Sequence, residues 1–280
     1  MPELPEVETV RRGLAAQVVG RRITRVEVGR ERTVRRTSPR SVIDGLTGAT
    51  ITAVNRRGKY LLCPLDTGDE LMMHLRMSGR LLVVPTGSER PPHTHVVIHL
   101  AGQEPHELLF VDPRTFGEVV VFDPSNVATE LPELAKMGVD PIADGLSGKQ
   151  FAALLQSRSR QIKAMLLDQH VVAGIGNIYC DESLHLAGIR WDRRSDAVTP
   201  REAAKLHAAI MRVLGEAIEA GGSTLADSQY VGVDGEGGWF QLHHRVYDRA
   251  GQRCLTCRKA DIVRVAVAGR GTHFCPRCQS

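Results

Sequence analysis

The sequence predicts an α+β protein with a β-rich first half, a helical second part and a small cysteine-bearing unit at its end. Three observations predict this class. Short β-rich runs separated by Gly, Pro and Asp turns fill residues 23–122, and apolar residues recur at helical spacing in segments after residue 147. Four cysteines stand in two Cys-x2-Cys pairs near the C-terminus. We expect three domains, at residues 1–131, 132–240 and 241–280.

The chain opens with a predicted helix in "PEVETVRRGLAAQVVG". Pro5 suits the first turn, and the carboxylates of Glu6 and Glu8 suit the positive end of a helix dipole. Gly20 ends the periodic pattern. The β-rich runs after it have the length and turn spacing of an all-β sandwich or barrel. These runs are "ITRVEV", "ATITAVNRR", "KYLLCPL", "ELMMHLRM", "RLLVV", "THVVIHL", "ELLFVD" and "GEVVVF".

The second half is predicted to be mainly helical. The stretch "DPSNVATELPELAKMGVDPIADG" is rich in Pro and Asp and is typical of a linker. Helices are predicted in "SGKQFAALLQSR", with Ser147 as N-cap, and in "TPREAAKLHAAIMRVLGEAIEAGG", with Thr199 as N-cap. Between them, Gly174 and Gly176 of "GIGNIYCDESL" form a turn into a helix start, a device that binds phosphate through backbone N–H groups. A Gly-rich loop, "STLADSQYVGVDGEGGWF", precedes the cysteine-bearing unit.

The distribution of charge points to a polyanionic partner more than its total does. The net charge is only +4, but thirteen Arg or Lys residues lie between Arg11 and Lys59. Such a run is either a solvated face or a surface that neutralises nucleic-acid phosphates. The sequence has no run of about 18 apolar residues and no charged-then-apolar leader. We therefore expect a cytoplasmic protein without a membrane span.

The four C-terminal cysteines predict one structural zinc ion. Cys254-x2-Cys257 is followed, after seventeen residues, by Cys275-x2-Cys278, a spacing that places four thiolates around Zn²⁺. The alternation in "ADIVRVAVAG" between the pairs predicts a β-hairpin, with Arg270 near its tip between glycines. From spacing alone, a zinc ribbon that only stabilises the fold is an alternative to one that binds a partner.

The first residues, "MPELPE", predict a nucleophilic amine. Methionine before proline is normally removed, which would leave Pro2 as a secondary amine with a pKa of about 8. Such an amine can attack a sugar C1′ and form an iminium, while a carboxylate such as Glu3 moves protons. Glu6 is a second candidate, although it equally suits a helix N-terminus. By itself, the segment is also compatible with a disordered polar start.

Six segments resemble one family, in order and across essentially the whole chain. They are "MPELPEVETVRRGL", "RRGKYLL", "HLRMSGRL", "DPRTFGEV", "GIGNIYCDESL" and "RGTHFCPRCQ". They resemble the bacterial formamidopyrimidine-DNA glycosylases. The resemblance implies a bifunctional base-excision repair enzyme that removes 8-oxoguanine and formamidopyrimidines from duplex DNA and cleaves abasic sites by β,δ-elimination. It also implies an N-terminal β-sandwich with flanking helices, a helix-two-turn-helix DNA-binding domain and a C-terminal β-hairpin zinc finger.

The resemblance further implies roles for the catalytic residues. Pro2 matches the nucleophile, Glu3 the proton donor to the deoxyribose, and Glu6 a carboxylate that helps to hold the site. Lys59 matches a hairpin lysine that contacts phosphate and donates a proton in strand cleavage. Arg270 matches a finger arginine that grips phosphate, and we count it with the catalytic group. We expect no redox cofactor, no catalytic metal and a monomeric protein.

Other matched residues contact DNA. Met77, Arg114 and Phe116 match the trio that enters the void left by the extruded base, with Arg114 facing the orphaned cytosine. The residues alone would favour core packing for Met77 and Phe116. The remaining DNA-binding matches are His95, Asn177, Tyr247 and Lys163, and the matched turn acid of the helix-two-turn-helix is Glu182.

Three alternatives stay open. A relative of endonuclease VIII would excise oxidised pyrimidines, but that branch usually begins with Pro-Glu-Gly-Pro, and Leu4 departs from it. A non-catalytic damage-sensing paralogue would keep the phosphate contacts without turnover. A zinc-ribbon scaffold would show no preference for damaged DNA. One departure from the family pattern is Gly237, which stands where the base-covering loop commonly has a proline.

Overall fold

The computed structural model describes residues 1–225 and 230–280, and it confirms the α+β class. The chain forms two compact units. The first unit consists of Met1–Lys136 with Ala220–Trp239, and the second of Met137–Glu219 with Phe240–Ser280. Part of the predicted Gly-rich loop, residues 226–229, lies outside the described residues.

The strands of the first unit form two antiparallel sheets. The strands are β1 (Ile23–Val28), β2 (Asn55–Arg57), β3 (Tyr60–Pro64), β4 (Glu70–His74), β5 (Arg80–Pro85), β6 (Thr94–Leu100), β7 (His106–Val111) and β8 (Glu118–Phe122). One four-stranded sheet has the order β1-β6-β7-β5, and the other has the order β2-β3-β4-β8. Because every pairing is antiparallel, short turns suffice between many of the strands.

The two sheets share one hydrophobic core, so the predicted sandwich is confirmed. Ile23 and Ile98 of one sheet and Leu61 and Leu71 of the other belong to the same buried cluster, and none is more than 2% exposed. Removing each such aliphatic side chain from water contributes roughly 1.5–3 kcal/mol. The apolar positions of the predicted runs therefore meet between the sheets.

The helices of the first unit are α1 (Leu4–Val18) and α2 (Pro39–Leu46), with two short ones, α3 (Val127–Glu130) and α4 (Pro132–Ala135), in the segment predicted as a linker. The predicted first helix is confirmed. The sequence pattern did not predict α2, which begins after Ser38, whose hydroxyl accepts a hydrogen bond from the Ser41 backbone at 3.0 Å. The run "ATITAVNRR" is regular strand only at β2, because its first half makes isolated bridges instead.

The second unit is built on helices. They are α5 (Gly148–Gln156), α6 (Ile162–Leu166), α7 (Asn177–Ala187) and α8 (Pro200–Glu219). The predicted caps are confirmed: Ser147 Oγ accepts from the Gln150 backbone and Thr199 Oγ1 from the Glu202 backbone, each at 3.3 Å. None of the helices in the described residues is long and apolar enough to span a membrane.

A two-stranded hairpin follows these helices in the second unit. It pairs β9 (Val263–Val267) with β10 (Arg270–Phe274) in antiparallel register, with Arg270 opposite Val267. Gly269, at a φ of 76°, makes the turn between them. The predicted hairpin and the place of Arg270 beside its tip are thus confirmed.

Candidate functional site

The N-terminal residues are ordered and buried rather than frayed. Pro2 is buried, and Glu3 and Glu6 are 3% and 2% exposed. Glu3 is the N-cap of α1, and its backbone N–H donates to Glu6 Oε2 at 2.8 Å. Pro2 therefore lies directly ahead of the positive end of a helix, next to two carboxylates.

The second oxygen of Glu6 is held from a distant part of the chain. Glu6 Oε1 accepts the Ser223 backbone N–H at 2.7 Å. Gly222, at a φ of 82°, approaches so closely that a Cβ there would lie 2.8 Å from that oxygen. The Tyr230 hydroxyl donates to Gly221 O at 2.9 Å, and burial, together with the Glu6 charge, raises the pKa of Tyr230. Both Glu6 oxygens are thus fixed by backbone N–H groups.

Lys59 lies in the turn of the β2–β3 hairpin and is 6% exposed. The same hairpin is joined to α1 by a buried ion pair, in which Arg56 Nε lies 3.1 Å from Glu8 Oε2. Arg56 also donates to the carbonyl oxygen of Gly58 at 2.9 Å, directly before Lys59. This pair ties the turn that carries Lys59 to the helix that follows Pro2.

The three residues predicted to fill a DNA void lie on two neighbouring segments. Met77 is 38% and Phe116 39% exposed, so core packing is excluded for both. The Arg114 guanidinium carbon lies 5.1 Å from the centre of the Phe116 ring, a cation–π contact. An apolar pair and a hydrogen-bonding cation are therefore displayed together at the surface of the first unit.

His95 supports the segment that carries Arg114. It is 8% exposed on β6, and its Nε2 donates to the Asp112 carbonyl oxygen at 2.9 Å. His95 also lines a cleft of about 380 Å³ with Arg90 and Thr94. With Nε2 occupied, Nδ1 is the ring nitrogen available to a ligand.

In the second unit, two residues predicted to contact DNA, Asn177 and Lys163, bond to Gly271, which follows Arg270. Asn177 is the first residue of α7, and its Nδ2 donates to Gly271 O at 2.8 Å. Lys163 is 2% exposed, and its Nζ lies 2.6 Å from Asp181 Oδ1 and 3.4 Å from the same Gly271 oxygen. Arg270 itself is exposed. The Lys163 ammonium thus faces protein groups.

Two adjacent acids of α7 organise the segments around Tyr247 and the hairpin. Asp181 Oδ2 accepts the His273 backbone N–H at 2.8 Å. Glu182, 0% exposed, accepts three backbone N–H groups, those of residues 245, 246 and 247, at 2.8–2.9 Å. The Tyr247 ring packs edge-on against His273, with ring centres 4.9 Å apart.

The four predicted metal ligands form one cluster. All four sulfur atoms lie within 4.8 Å of one another. Cys254 and Cys278 Sγ are 3.8 Å apart, and Cys257 and Cys275 Sγ are 3.7 Å apart. A tetrahedron with Zn–S bonds of about 2.3 Å has sulfur–sulfur edges of about 3.8 Å, so the cluster fits one structural zinc ion.

Sequence reasoning missed the connecting role of three buried carboxylates in the first unit, of which Glu8 was assigned only to the start of a helix. Glu8, Asp112 and Glu118 all bond to side chains or backbone far along the chain. For Asp112 and Glu118, the one sequence feature that could have indicated such a role is their position at the two ends of the matched segment "DPRTFGEV".

Three family models match the chain. They are the formamidopyrimidine-DNA glycosylase N-terminal domain over residues 1–119, the H2TH domain of the same glycosylase over 137–229, and a zinc finger found in FPG and IleRS over 251–280. Among the curated relatives named formamidopyrimidine-DNA glycosylase are two that match this chain along its whole length. The protein of Salinispora arenicola is 44% identical and that of Symbiobacterium thermophilum 45%; each match covers 100% of this chain, with 96% and 89% of the relative.

Solved structures also match over the whole chain, at lower sequence identity. A mutant of the Lactococcus lactis FPG in complex with Fapy-dG DNA is 36% identical with a TM-score of 0.89, covering 100% of both chains. MutM in complex with carbocyclic 8-oxo-G DNA is 36% identical with a TM-score of 0.88, again over 100% of both chains. Both the sequence and the fold therefore have relatives along the whole length of the chain.

Proposed function

The chain belongs to the formamidopyrimidine-DNA glycosylase family, and from that premise we propose that it is a DNA glycosylase for oxidised purines that also cleaves abasic sites. The observation that carries the proposal is the start of α1, where Pro2 is buried next to the buried carboxylates of Glu3 and Glu6. The DNA lesions in the complexes of the solved relatives, Fapy-dG and 8-oxo-G, support the substrate class.

In the proposed first step, Pro2 is the nucleophile. Removal of Met1 frees its nitrogen as a secondary amine, and the positive end of α1 disfavours protonation there. The nitrogen lone pair attacks C1′ and the N-glycosidic bond breaks. The base leaves with the proton that the Pro2 nitrogen releases, and the C1′–O4′ bond then breaks to give an iminium that joins Pro2 to the sugar. Glu3 donates the proton that the ring oxygen takes up as the deoxyribose opens, and Glu6 holds the site.

The iminium then drives strand cleavage. It acidifies the sugar hydrogens next to C1′, so that β-elimination breaks the C3′–O bond and δ-elimination breaks the C5′–O bond. Hydrolysis releases the sugar remnant from Pro2 and leaves a gap with phosphate at both ends. Lys59, in the β2–β3 turn, contacts phosphate beside the lesion and donates a proton during this stage.

Excision from a duplex also requires the damaged base to leave the stack, at a cost of a few kcal/mol. We assign Met77 and Phe116 to the void and Arg114 to the orphaned cytosine, since all three are exposed together. Arg270 grips phosphate together with His95, Asn177 and Tyr247. Lys163 would contribute by holding Gly271 next to Arg270.

The proposed parts follow the three predicted domains, catalytic at 1–131, helix-two-turn-helix at 132–240 and zinc finger at 241–280. The zinc ion, held by Cys254, Cys257, Cys275 and Cys278, would stabilise the hairpin that carries Arg270 and take no part in the bond changes. We propose that the protein acts as a monomer in the cytoplasm, on double-stranded DNA with oxidised purines or abasic sites.

Excision assays on four duplexes test this function. They carry 8-oxoguanine opposite cytosine, thymine glycol, an abasic site, or no lesion. We expect excision of 8-oxoguanine and nicking of the abasic site. Glu3→Gln should reduce excision by about 10²–10⁴-fold, whereas Glu89→Gln, at an exposed loop position, should not. Preference for thymine glycol would favour the pyrimidine branch, and binding without turnover would favour a damage-sensing paralogue.

A further inference from the structure

Two short segments display the residues assigned to the DNA void. The wedge turn, residues 75–79, carries Met77, and the wedge loop, residues 112–118, carries Arg114 and Phe116. Neither segment is a regular strand or helix over the exposed residues. Side-chain contacts must therefore hold the two segments in place relative to each other.

The first contact is made by Asp112, which is 1% exposed. Its Oδ1 accepts the Ser78 hydroxyl at 2.5 Å and the Arg114 backbone N–H at 3.2 Å. Its Oδ2 accepts the Gly117 backbone N–H at 2.7 Å. One carboxylate thus bonds the residue after Met77 and both ends of the exposed part of the wedge loop.

The second contact is made by Glu118, whose side chain is 3% exposed. Arg76, the residue before Met77, donates to it at 2.9 Å. Arg35 and Arg36 also pair with it, at 2.5 and 2.6 Å, and Arg35 further donates to the Phe116 carbonyl oxygen at 3.1 Å. Burial raises the pKa of Glu118, but the surrounding guanidiniums outweigh this and hold it below its usual range.

Both segments contain a backbone conformation that needs such support. Arg76 has a φ of 52° and Thr115 a φ of 56°, in the left-handed region that non-glycine residues rarely adopt. The Arg76 backbone N–H donates to His74 Nδ1 at 2.9 Å, and the Thr115 N–H donates to the Asp112 carbonyl oxygen at 3.2 Å. Arg76 itself pairs with Glu118, and Thr115 directly follows Arg114, whose backbone N–H donates to Asp112.

We propose that Asp112 and Glu118 are positioning residues that lock the wedge turn and the wedge loop into one preformed unit, and that the Ser78–Asp112 bond determines opposite-base selectivity. This inference rests on the proposed function. A wedge whose backbone is already in place loses less conformational freedom when it enters DNA than one that must first be ordered. Because Asp112 fixes the Arg114 backbone, it also fixes how precisely that guanidinium can distinguish cytosine from adenine opposite the lesion.

The test uses Ser78→Ala, Asp112→Asn and their combination, with a matched pair elsewhere in the same unit. The control pair is Ser125→Ala and Asp123→Asn, a Ser–Asp pair that lies outside both wedge segments in the sequence, just after β8, where Asp123 accepts the Ser125 backbone N–H at 2.8 Å. For each protein we would measure kcat/KM for 8-oxoguanine opposite cytosine and opposite adenine. Cleavage of an abasic site in single-stranded DNA, which has no opposite base, measures whether the catalytic steps are unchanged by each substitution.

We expect Ser78→Ala and Asp112→Asn each to lower the cytosine-to-adenine ratio by about tenfold, with single-strand cleavage within about twofold of the unchanged protein. The cytosine-to-adenine ratio of the double variant should be no lower than that of Asp112→Asn, because both substitutions remove the same Ser78–Asp112 bond. Arg76→Gln, at a side chain 37% exposed, should shift the ratio in the same direction. It and Ser78→Ala keep the test decisive if Asp112→Asn does not fold.

An unchanged ratio in folded Ser78→Ala and Arg76→Gln proteins would overturn the inference, as would an equal loss on both opposite bases and on the single strand. Failure of the unchanged protein to excise 8-oxoguanine from either duplex would instead overturn the proposed function. Excision by the unchanged protein, with selectivity retained in every variant, would leave the function standing and remove only the positioning role.

Discussion

His74 lies under the wedge turn and stays uncharged. It is 5% exposed, and its ring packs edge-on against the Tyr60 ring, with ring centres 4.3 Å apart. Its Nδ1 accepts the Arg76 backbone N–H. Burial, and then the positive charge of Arg76, lower the pKa of His74 to about 3. A protonated ring would lose the Nδ1 acceptor that supports the wedge turn.

This gives a pH prediction for stability. The unfolded chain binds a proton at His74 below about pH 6.5, whereas the folded chain does so only near pH 3. Stability from this group is therefore complete above pH 6.5 and falls with decreasing pH, by about 1.4 kcal/mol per pH unit.

In thermal melts from pH 7 to 4, His74→Gln should show a shallower fall in Tm than the unchanged protein. The exposed-site variant His243→Gln should follow the unchanged protein, and parallel curves for all three would refute the assignment.

At the residue scale, the sequence predicts kinds of chemistry better than contacts. The match of Met77 and Phe116 to a void-filling trio correctly opposed core packing, which composition alone favours. By contrast, Ser78 and Asp112 lie 34 residues apart, and no local pattern indicates that they bond. For Lys163, the lysine side chain suggests phosphate binding, but its burial with Asp181 is a property of tertiary structure.

At the scale of elements, the Glu8–Arg56 pair joins α1 to the β2–β3 hairpin. The Arg56 side chain is 2% exposed, and Glu8 keeps Arg11 and Arg12 as further partners. Burial raises the pKa of Glu8, but these guanidiniums outweigh it and hold the pKa below its usual range. The carboxylate is therefore ionised in the folded protein at neutral pH.

We predict that Arg56→Met lowers the free energy of unfolding by about 2–4 kcal/mol, because it leaves the buried Glu8 carboxylate with fewer partners. The matched control is Arg40→Met, which removes the exposed Arg40–Asp44 pair on α2 and should cost less than about 0.5 kcal/mol. Urea unfolding at pH 7 measures both. Equal losses for the two variants would contradict the connecting role of Arg56.

The finger has a small buried cluster, in which Val246 and Ile262 pack with the cysteines. We therefore expect zinc binding to supply much of its folding free energy. Cys275→Ser should release the zinc and weaken binding to an abasic-site duplex, whereas Cys180→Ala, outside the cluster, should retain one zinc per chain. Elemental analysis and a binding titration measure the two effects. Unchanged DNA affinity in a zinc-free protein would contradict this prediction.

Elements with long periodic patterns could be predicted from sequence, and those set by distant contacts could not. α1, α5 and α8 carry their own caps and apolar spacing. α2 has a cap but is only 8 residues long and follows an arginine-rich segment, so its signal was weak. The start of "ATITAVNRR" has strand propensity but finds only isolated bridges, because its pairing depends on Arg22 and Leu65.

At the scale of the whole molecule, the chain order differs from the spatial order. Ala220–Trp239 belongs to the first unit, although it follows the long helix of the second. Its contacts with Glu6 through Ser223 connect positions 217 residues apart, which no sequence window contains. The carboxylates that we propose as catalytic could be named from sequence, but the backbone that fixes one of them could not.

DNA binding by the whole protein should depend steeply on salt. Each phosphate neutralised contributes a slope of about −0.9 to a plot of log affinity against log salt. We predict that Arg270→Ala makes the slope shallower by about one, whereas Arg201→Ala, at an exposed position on α8, leaves it unchanged. Fluorescence anisotropy with an abasic-site duplex at several salt concentrations measures it. A flat plot for the unchanged protein would contradict the phosphate contacts.

The central claim is that the Pro2 nitrogen forms an iminium with the DNA sugar, and borohydride trapping tests it most directly. The zinc-loaded protein is incubated with a duplex carrying 8-oxoguanine opposite cytosine, reduced, and digested for peptide mapping by mass. A chain extended by two residues ahead of Pro2, whose nitrogen is then an amide, is the matched control. We predict a crosslink on residue 2, with Met1 absent, and none in the extended chain. No crosslink from the folded protein, or a crosslink confined to a lysine such as Lys59, would contradict the account.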